Sequence, residues 1–222
     1  PEWDNLGQLK KEREVVGIYI SGHPLDEFKK EMKWFTNADL SQLKDLKPWI
    51  NKNLSLAGII NDIQHLESRN GKGWGRFTLE DFSDQYEFRI FGEEYLKFKH
   101  FLDFNRFIRI KIKIREGWRN QETGRLTDPR IQFINFEMLH DSLSKNSKKL
   151  TLQLDIRQLE SESIQNLKKE LRGFKGEKPL YFDIIDLKKQ LKLTLPSRKH
   201  KVAISQDLLS RLEEKQWHYK LN

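Results

Sequence analysis

The side chains that could do chemistry in this sequence are cations set among apolar and aromatic residues, a combination suited to holding a phosphate backbone. Residues 106–115 read Arg-Phe-Ile-Arg-Ile-Lys-Ile-Lys-Ile-Arg. A strand sends successive side chains to opposite faces, so Ile108, Ile110, Ile112 and Ile114 make a core row. Phe107, Arg109, Lys111, Lys113 and Arg115 then make the other row. That second row would set four cations about 7 Å apart along an exposed ribbon, roughly the phosphate spacing of a single strand. Lysines on the outer face of a strand also guard against edge-to-edge pairing, and this segment alone leaves both readings open.

Two further groups pair cations with an aromatic ring on which a base could stack. Arg69, Lys72 and Trp74 surround the turn Arg69-Asn70-Gly71-Lys72-Gly73, and Trp118, Arg119, Asn120 and Arg125 follow the isoleucine-rich strand. Either tryptophan could instead fold back over the open end of a β-domain. Arg76 and Arg89 alternate outward from strands whose inward residues are Phe77, Leu79, Phe88 and Ile90, with ion pairing to Glu80 or Glu87 as the structural alternative. Phe98, Phe101 and Phe104 read as core.

Bond-making chemistry has no comparable support. The histidines at 23, 65, 100, 140, 200 and 218 lack metal-ligand spacing, and His23 before Pro24 suits a local hydrogen bond. Asp183 and Asp186, three residues apart on a strand, would face opposite sides. No phosphate-cradling glycine loop, nucleophile elbow or triad order is present. The expectation is a binding role with no catalytic residue, metal or cofactor in this chain.

Composition narrows the class. The 222 residues are 36% hydrophobic and 33% charged, which fits a water-soluble fold of one large domain or two small ones. No apolar run approaches the roughly 20 residues of a membrane span, nothing resembles a signal peptide, and no membrane partner is expected. The absence of cysteine excludes disulfides and thiolate zinc sites and is compatible with a cytoplasmic protein. A chain that begins at Pro1 is expected to be a piece of a longer one.

The net charge of +8 is unevenly spread. Lys and Arg number 9 against 9 acids in residues 1–52, 14 against 13 in 53–140, and 18 against 11 in 141–222. Residues 106–130 alone hold 8 cations and 3 acids, so near-neutrality of the middle segment conceals a polarised surface.

Periodicity divides the chain into three regions. Residues 1–52 read as helical, with Leu6, Leu9, Val16 and Tyr19 inward, a break at Ser21-Gly22-His23-Pro24, and a short helix carrying Phe28, Met32 and Phe35. A weaker helix spans Asp39 to Lys47. Five strands follow at 54–65, 75–81, 86–91, 107–115 and 131–139, with a helix over 93–101 between the third and fourth. That order is the plan of a five-stranded OB-fold barrel, which binds oligonucleotides across its second and third strands and its first and fourth loops. Residues 141–149 read as a linker. A small α+β domain over 150–222 follows, with strands at 150–156, 179–187 and 191–195, a further short strand at 202–204, and helices at 163–171 and 207–215, the second capped by Ser205. The fold class is therefore α+β.

The stretch Glu12-Arg-Glu-Val-Val-Gly-Ile-Tyr-Ile-Ser-Gly-His-Pro-Leu-Asp-Glu-Phe28 resembles the segment preceding the OB domain in alpha subunits of bacterial DNA polymerase III. Leu56-Ala-Gly-Ile-Ile60, Asn70-Gly-Lys-Gly73, Phe77-Thr-Leu-Glu-Asp81 and Glu87-Phe-Arg-Ile-Phe91 continue the likeness in order. The resemblance implies the end of a clamp-binding region, an OB domain that contacts single-stranded template DNA, and a C-terminal domain that binds the tau subunit of the clamp loader. The rest of the alpha subunit, including its polymerase active site, would lie outside this chain. It further implies a tau contact near Leu208, Leu212, Trp217 and Tyr219. One departure is Asp84, where the family often has glycine; an aspartate tolerates a left-handed turn but brings negative charge to the neighbourhood. The basic run Lys188–Lys201, six cations without an acid, offers a competing DNA site. An RNA-binding OB module of a translation enzyme, such as an anticodon-binding domain, is the alternative reading.

Overall fold

The computed structural model describes residues 5–16, 19–119 and 126–222. The chain divides into two compact units, Pro1–His140 and Asp141–Asn222. The first opens with α1 (Asn5–Val16), a 3-10 turn at Asp26–Phe28 continuing into α2 (Lys29–Phe35), and 3-10 turns at Leu40–Lys44 and Lys47–Trp49. Leu9, Phe28 and Phe35 are buried as their spacing predicts, whereas Val16 is exposed.

Five antiparallel strands follow: β1 (Asn53–Glu67), β2 (Gly73–Glu80), β3 (Gln85–Phe91), β4 (Phe107–Arg115) and β5 (Arg130–Met138). Helix α3 (Gly92–Phe98) lies between β3 and β4. Strand order is β3-β2-β1-β4-β5, and no ladder among the described residues joins the edges β3 and β5, so the sheet is open rather than the closed barrel expected. Alternation explains the interior: Phe77, Leu79, Phe88, Ile90 and the four isoleucines of β4 are buried in one cluster with Phe98 and Phe136. The β1–β2 connection turns at Gly71, whose φ of +70° is costly for a residue with a Cβ. Phe104, expected in the core, is exposed.

The second unit contains α4 (Ser142–Asn146), β6 (Leu150–Asp155), α5 (Ser161–Arg172), β7 (Lys175–Asp186), β8 (Leu191–Val202), α6 (Gln206–Glu214) and β9 (His218–Leu221). Its sheet is mixed, in the order β8-β7-β6-β9, with β6 and β7 parallel around the α5 crossover. Leu167 and Leu171 of α5 and Leu208, Leu209 and Leu212 of α6 are buried. Ser205 caps α6, its Oγ accepting from the Leu208 N–H at 3.3 Å. Three details depart from expectation. Helix α4 lies within residues 141–149, read as a linker, and its Leu143 is buried. The stretch 202–204 is not a separate strand, because β8 runs through Pro196 to Val202, and β9 forms after α6, where no element was assigned.

Candidate functional site

Strands β1, β2 and β3 turn one face inward and present the other as a grid of three rows. Their register sets Leu66 beside Trp74 and Phe91, Gln64 beside Arg76 and Arg89, and Asp62 beside Thr78 and Glu87. Trp74 and Phe91 stack with ring centroids 5.2 Å apart and planes 20° from parallel. Phe91 is 55% exposed despite its size, so the stacked pair offers an open π-surface. Trp74 lies within β2 rather than at the loop tip expected of it. Arg69 and Lys72, in the β1–β2 turn that precedes this row, are exposed.

The arginine row is held by one acid. Glu87 receives the Arg89 guanidinium at 3.0 Å and lies 3.6 Å from that of Arg76. Arg76 Nε is buried without a hydrogen-bond partner. One carboxylate against two guanidinium groups leaves the row net positive, so ion pairing orients these cations without neutralising them. Asp84 sits in the β2–β3 turn, at the far end of the strands from Trp74. Its carboxylate accepts hydrogen bonds from Lys44 and from the Gln85 N–H, which hold its pKa below the ordinary aspartate value. It does not use the left-handed conformation that its identity permits.

The β4 ribbon differs from its expected form. Arg109 is only 4% exposed: its Nε donates to Glu137 at 2.6 Å, its Nη1 donates to the Phe35 carbonyl at 3.0 Å, and its guanidinium lies over the Phe35 ring. Phe107 likewise packs against Phe28. The cause is α2 and its flanks, which cover this face of β1 and β4; Ser55 Oγ donates to the Phe35 carbonyl and the Asn37 N–H donates to that of Ser55. Arg109 is therefore a structural cation and not part of an exposed ribbon. Lys111 and Lys113 are half-buried, and Arg115 donates to Gln132.

Trp118 and Arg119 form a separate group at the β4–β5 loop. Trp118 is 67% exposed and holds the Arg130 guanidinium 4.1 Å from its ring centre. Its N–H donates to Thr127 Oγ1 and its carbonyl accepts from the Thr127 N–H, both at 2.8 Å. Arg125 lies outside the described residues.

In the second unit Leu208 and Leu212 are fully buried and cannot touch a partner; their spacing reflects the core face of α6. Trp217 and Tyr219 are half-buried, and the Tyr219 hydroxyl donates to Glu213 at 2.6 Å. Asp183 is buried with Lys192 at 2.7 Å and accepts from the Thr194 hydroxyl at 2.6 Å. Burial opposes its charge, but these hydrogen bonds outweigh it and lower its pKa. No cluster of three or more His, Cys, Asp or Glu side chains suited to a metal occurs among the described residues. No helix among them is long and apolar enough to cross a membrane. Sequence reasoning missed Phe91 and Arg130. Phe91 was legible in principle, because counting outward from the 81–84 turn sets it opposite Trp74.

Comparison with known proteins follows the two-unit division. Residues 150–222 match the family model for the DNA polymerase III alpha subunit, C-terminal domain. The DNA polymerase III subunit alpha of Helicobacter pylori strain J99 is 29% identical over 217 residues, covering 86% of this chain and 17% of its own length. That of Halalkalibacterium halodurans is 26% identical over 214 residues, covering 95% of this chain and 18% of its own. Among solved structures, a putative aspartyl-tRNA synthetase from Leishmania major Friedlin aligns with 47% of this chain and 21% of its own at a TM-score of 0.32 and 10% identity, too distant to carry an argument. The chain thus spans less than a fifth of these polymerase relatives. By these matches it is homologous to the C-terminal region of the DNA polymerase III alpha subunit.

Proposed function

We propose that this chain is a non-catalytic C-terminal part of a cytoplasmic DNA polymerase III alpha subunit, binding single-stranded template DNA through its first unit and docking the tau subunit of the clamp loader through its second. The observation that carries the DNA reading is the stacked Trp74–Phe91 pair beside the Arg76–Arg89 row on one open sheet face. Bases stack on exposed aromatic faces while cations track the backbone, an arrangement that tolerates any sequence. The strand order and the position of α3 between β3 and β4 support an OB-type plan, in which this face and the β1–β2 and β4–β5 loops take oligonucleotides. Arg69, Lys72, Trp118 and Arg119 would extend the contact, with Lys111 and Lys113 as lesser contributors.

The tau reading rests on the family of the second unit and on Trp217 and Tyr219, the two members of the expected contact that retain exposed surface. The nucleotidyltransferase active site of the parent enzyme would lie in the remainder of the alpha subunit. The RNA-binding alternative is not favoured, since relatives aligned along most of the chain are polymerase subunits.

Photo-crosslinking tests the DNA site. A bromouracil-substituted single-stranded oligonucleotide should attach at Trp74 or Phe91, and crosslinks confined to residues 188–201 would contradict the proposal. Titration with purified tau tests the second part, which requires a complex that Trp217→Ala weakens.

A further inference from the structure

Between α5 and the sheet of the second unit lies an apolar cleft of about 340 Å³, walled by Ile164 and Leu167 on the helix and by Phe182, Ile184 and Leu195 on the strands. Ile164 is 48% exposed and Leu195 43%. The apolar surface continues past the cleft. Leu195 pairs with Phe182 and Leu193 with Ile184, so Leu193 and Leu191 prolong the same face of edge strand β8, and both are exposed. A small molecule could fill the cleft but would leave this strip in water, an apolar exposure of the kind that marks an interaction site. From Leu191 to Leu195 the strip runs about 13 Å, and with the cleft it matches two to three turns of a helix.

Charge defines what would cover it. Lys168 and His200 line the cleft itself. His200 reaches it because pairing between β7 and β8 is irregular from Pro179 to Tyr181, where the His200 N–H donates to Ser197 Oγ at 3.1 Å. Arg198, Lys199 and Lys201 flank it, and neither they nor Lys168 make an ion pair among the described residues. Of the acids nearby, Asp183 pairs with Lys192, Glu170 with Arg211, and Asp186 accepts from the N–H groups of Lys188 and Lys189, while Glu160 and Glu162 sit at the start of α5 and Lys168 in its C-terminal half. An apolar strip edged by uncompensated cations selects a ligand that is apolar on one face and acidic at its flanks.

We propose that the α5–β8 cleft and the Leu191–Leu193 strip form a docking groove for an amphipathic, acid-flanked helical segment of a partner protein. The basic run Lys188–Lys201 then serves protein recognition rather than DNA binding. This deepens the reading of the second unit as a docking module and rests on it.

The test uses two fluorescein-labelled helical peptides about 18 residues long with the same leucine face, one flanked by Glu and one by Lys. The Glu peptide should bind the 222-residue chain about tenfold more tightly than its Lys isomer. Leu195→Ser and Ile164→Ser, both at exposed positions, should each weaken it about fivefold or more without changing the thermal melt. Lys168→Glu, on the exposed side of α5, should narrow the preference between isomers even if a serine variant folds poorly. Absence of binding, equal affinity for both isomers, or indifference to all three groove substitutions would overturn the proposal. Tau binding without peptide binding would end the groove assignment alone; peptide binding at the groove without tau binding would end the tau assignment alone.

Discussion

Arg109 illustrates how one side chain can read as a ligand contact and serve as a structural tie. On its own strand it belongs to a row of cations. In the fold, α2 covers that part of the row, and the guanidinium answers both the Glu137 carboxylate and the Phe35 carbonyl. Removing one member of such a buried pair strands the other charge. Arg109→Ala should therefore cost about 3 kcal/mol in urea denaturation, while the double change Arg109→Met, Glu137→Met should recover most of that loss. Equal losses in the single and double variants would contradict this account. Asp183 gives a pH dependence of definite sign. Its folded pKa is lowered, so its carboxylate stabilises the second unit above the ordinary aspartate pKa of about 3.9 and ceases to do so as the pH falls through the folded value. Asp183→Asn should flatten the decline in urea midpoint between about pH 5 and pH 3. An equally steep decline in the variant would assign the acid sensitivity to another group.

Elements were legible in proportion to how local their causes are. The five strands of the first unit follow from alternation, α3 from the three-residue spacing of Tyr95, Phe98 and Phe101, and α6 from the Ser205 cap with three inward leucines. Arg109 was misread because nothing within β4 reports that α2 lies across it. The four residues of β9 are too few to display a period, and β8 was cut short because Pro196 and the polar Ser197–Lys201 segment resemble a chain break. The grid on β1–β3 was half legible: Arg76 and Arg89 were found by alternation and Trp74 as an aromatic beside the β1–β2 turn, but Phe91 required the strand register. The β4–β5 loop depends on a close approach at Gly117, where a Cβ would stand 2.0 Å from the Thr127 carbonyl oxygen. Gly117→Ala should force the Trp118–Thr127 hydrogen bonds apart, speed hydrogen exchange at the Thr127 amide, and cost about 1–3 kcal/mol. Unchanged exchange would mean that the loop is not anchored there.

Across the whole molecule, two units carry two kinds of surface. The first has stacked aromatics among partly compensated arginines; the second has an apolar cleft with a basic margin. The net charge of +8 describes neither. The unit with the larger cationic excess is the second, so bulk electrostatics would send DNA there, whereas the geometry favours the first. Fluorescence anisotropy of a labelled single-stranded oligonucleotide decides between them most directly. The parent chain should bind with a log–log salt slope of about −3, corresponding to four phosphate contacts by Arg69, Lys72, Arg76 and Arg89. A Trp74→Ala, Arg76→Ala, Arg89→Ala variant should lose most of the affinity and about half of the slope, while Lys199→Ala with Lys201→Ala should change little. Binding that survives the first variant and collapses in the second would contradict the assignment of the DNA site to the β1–β3 face.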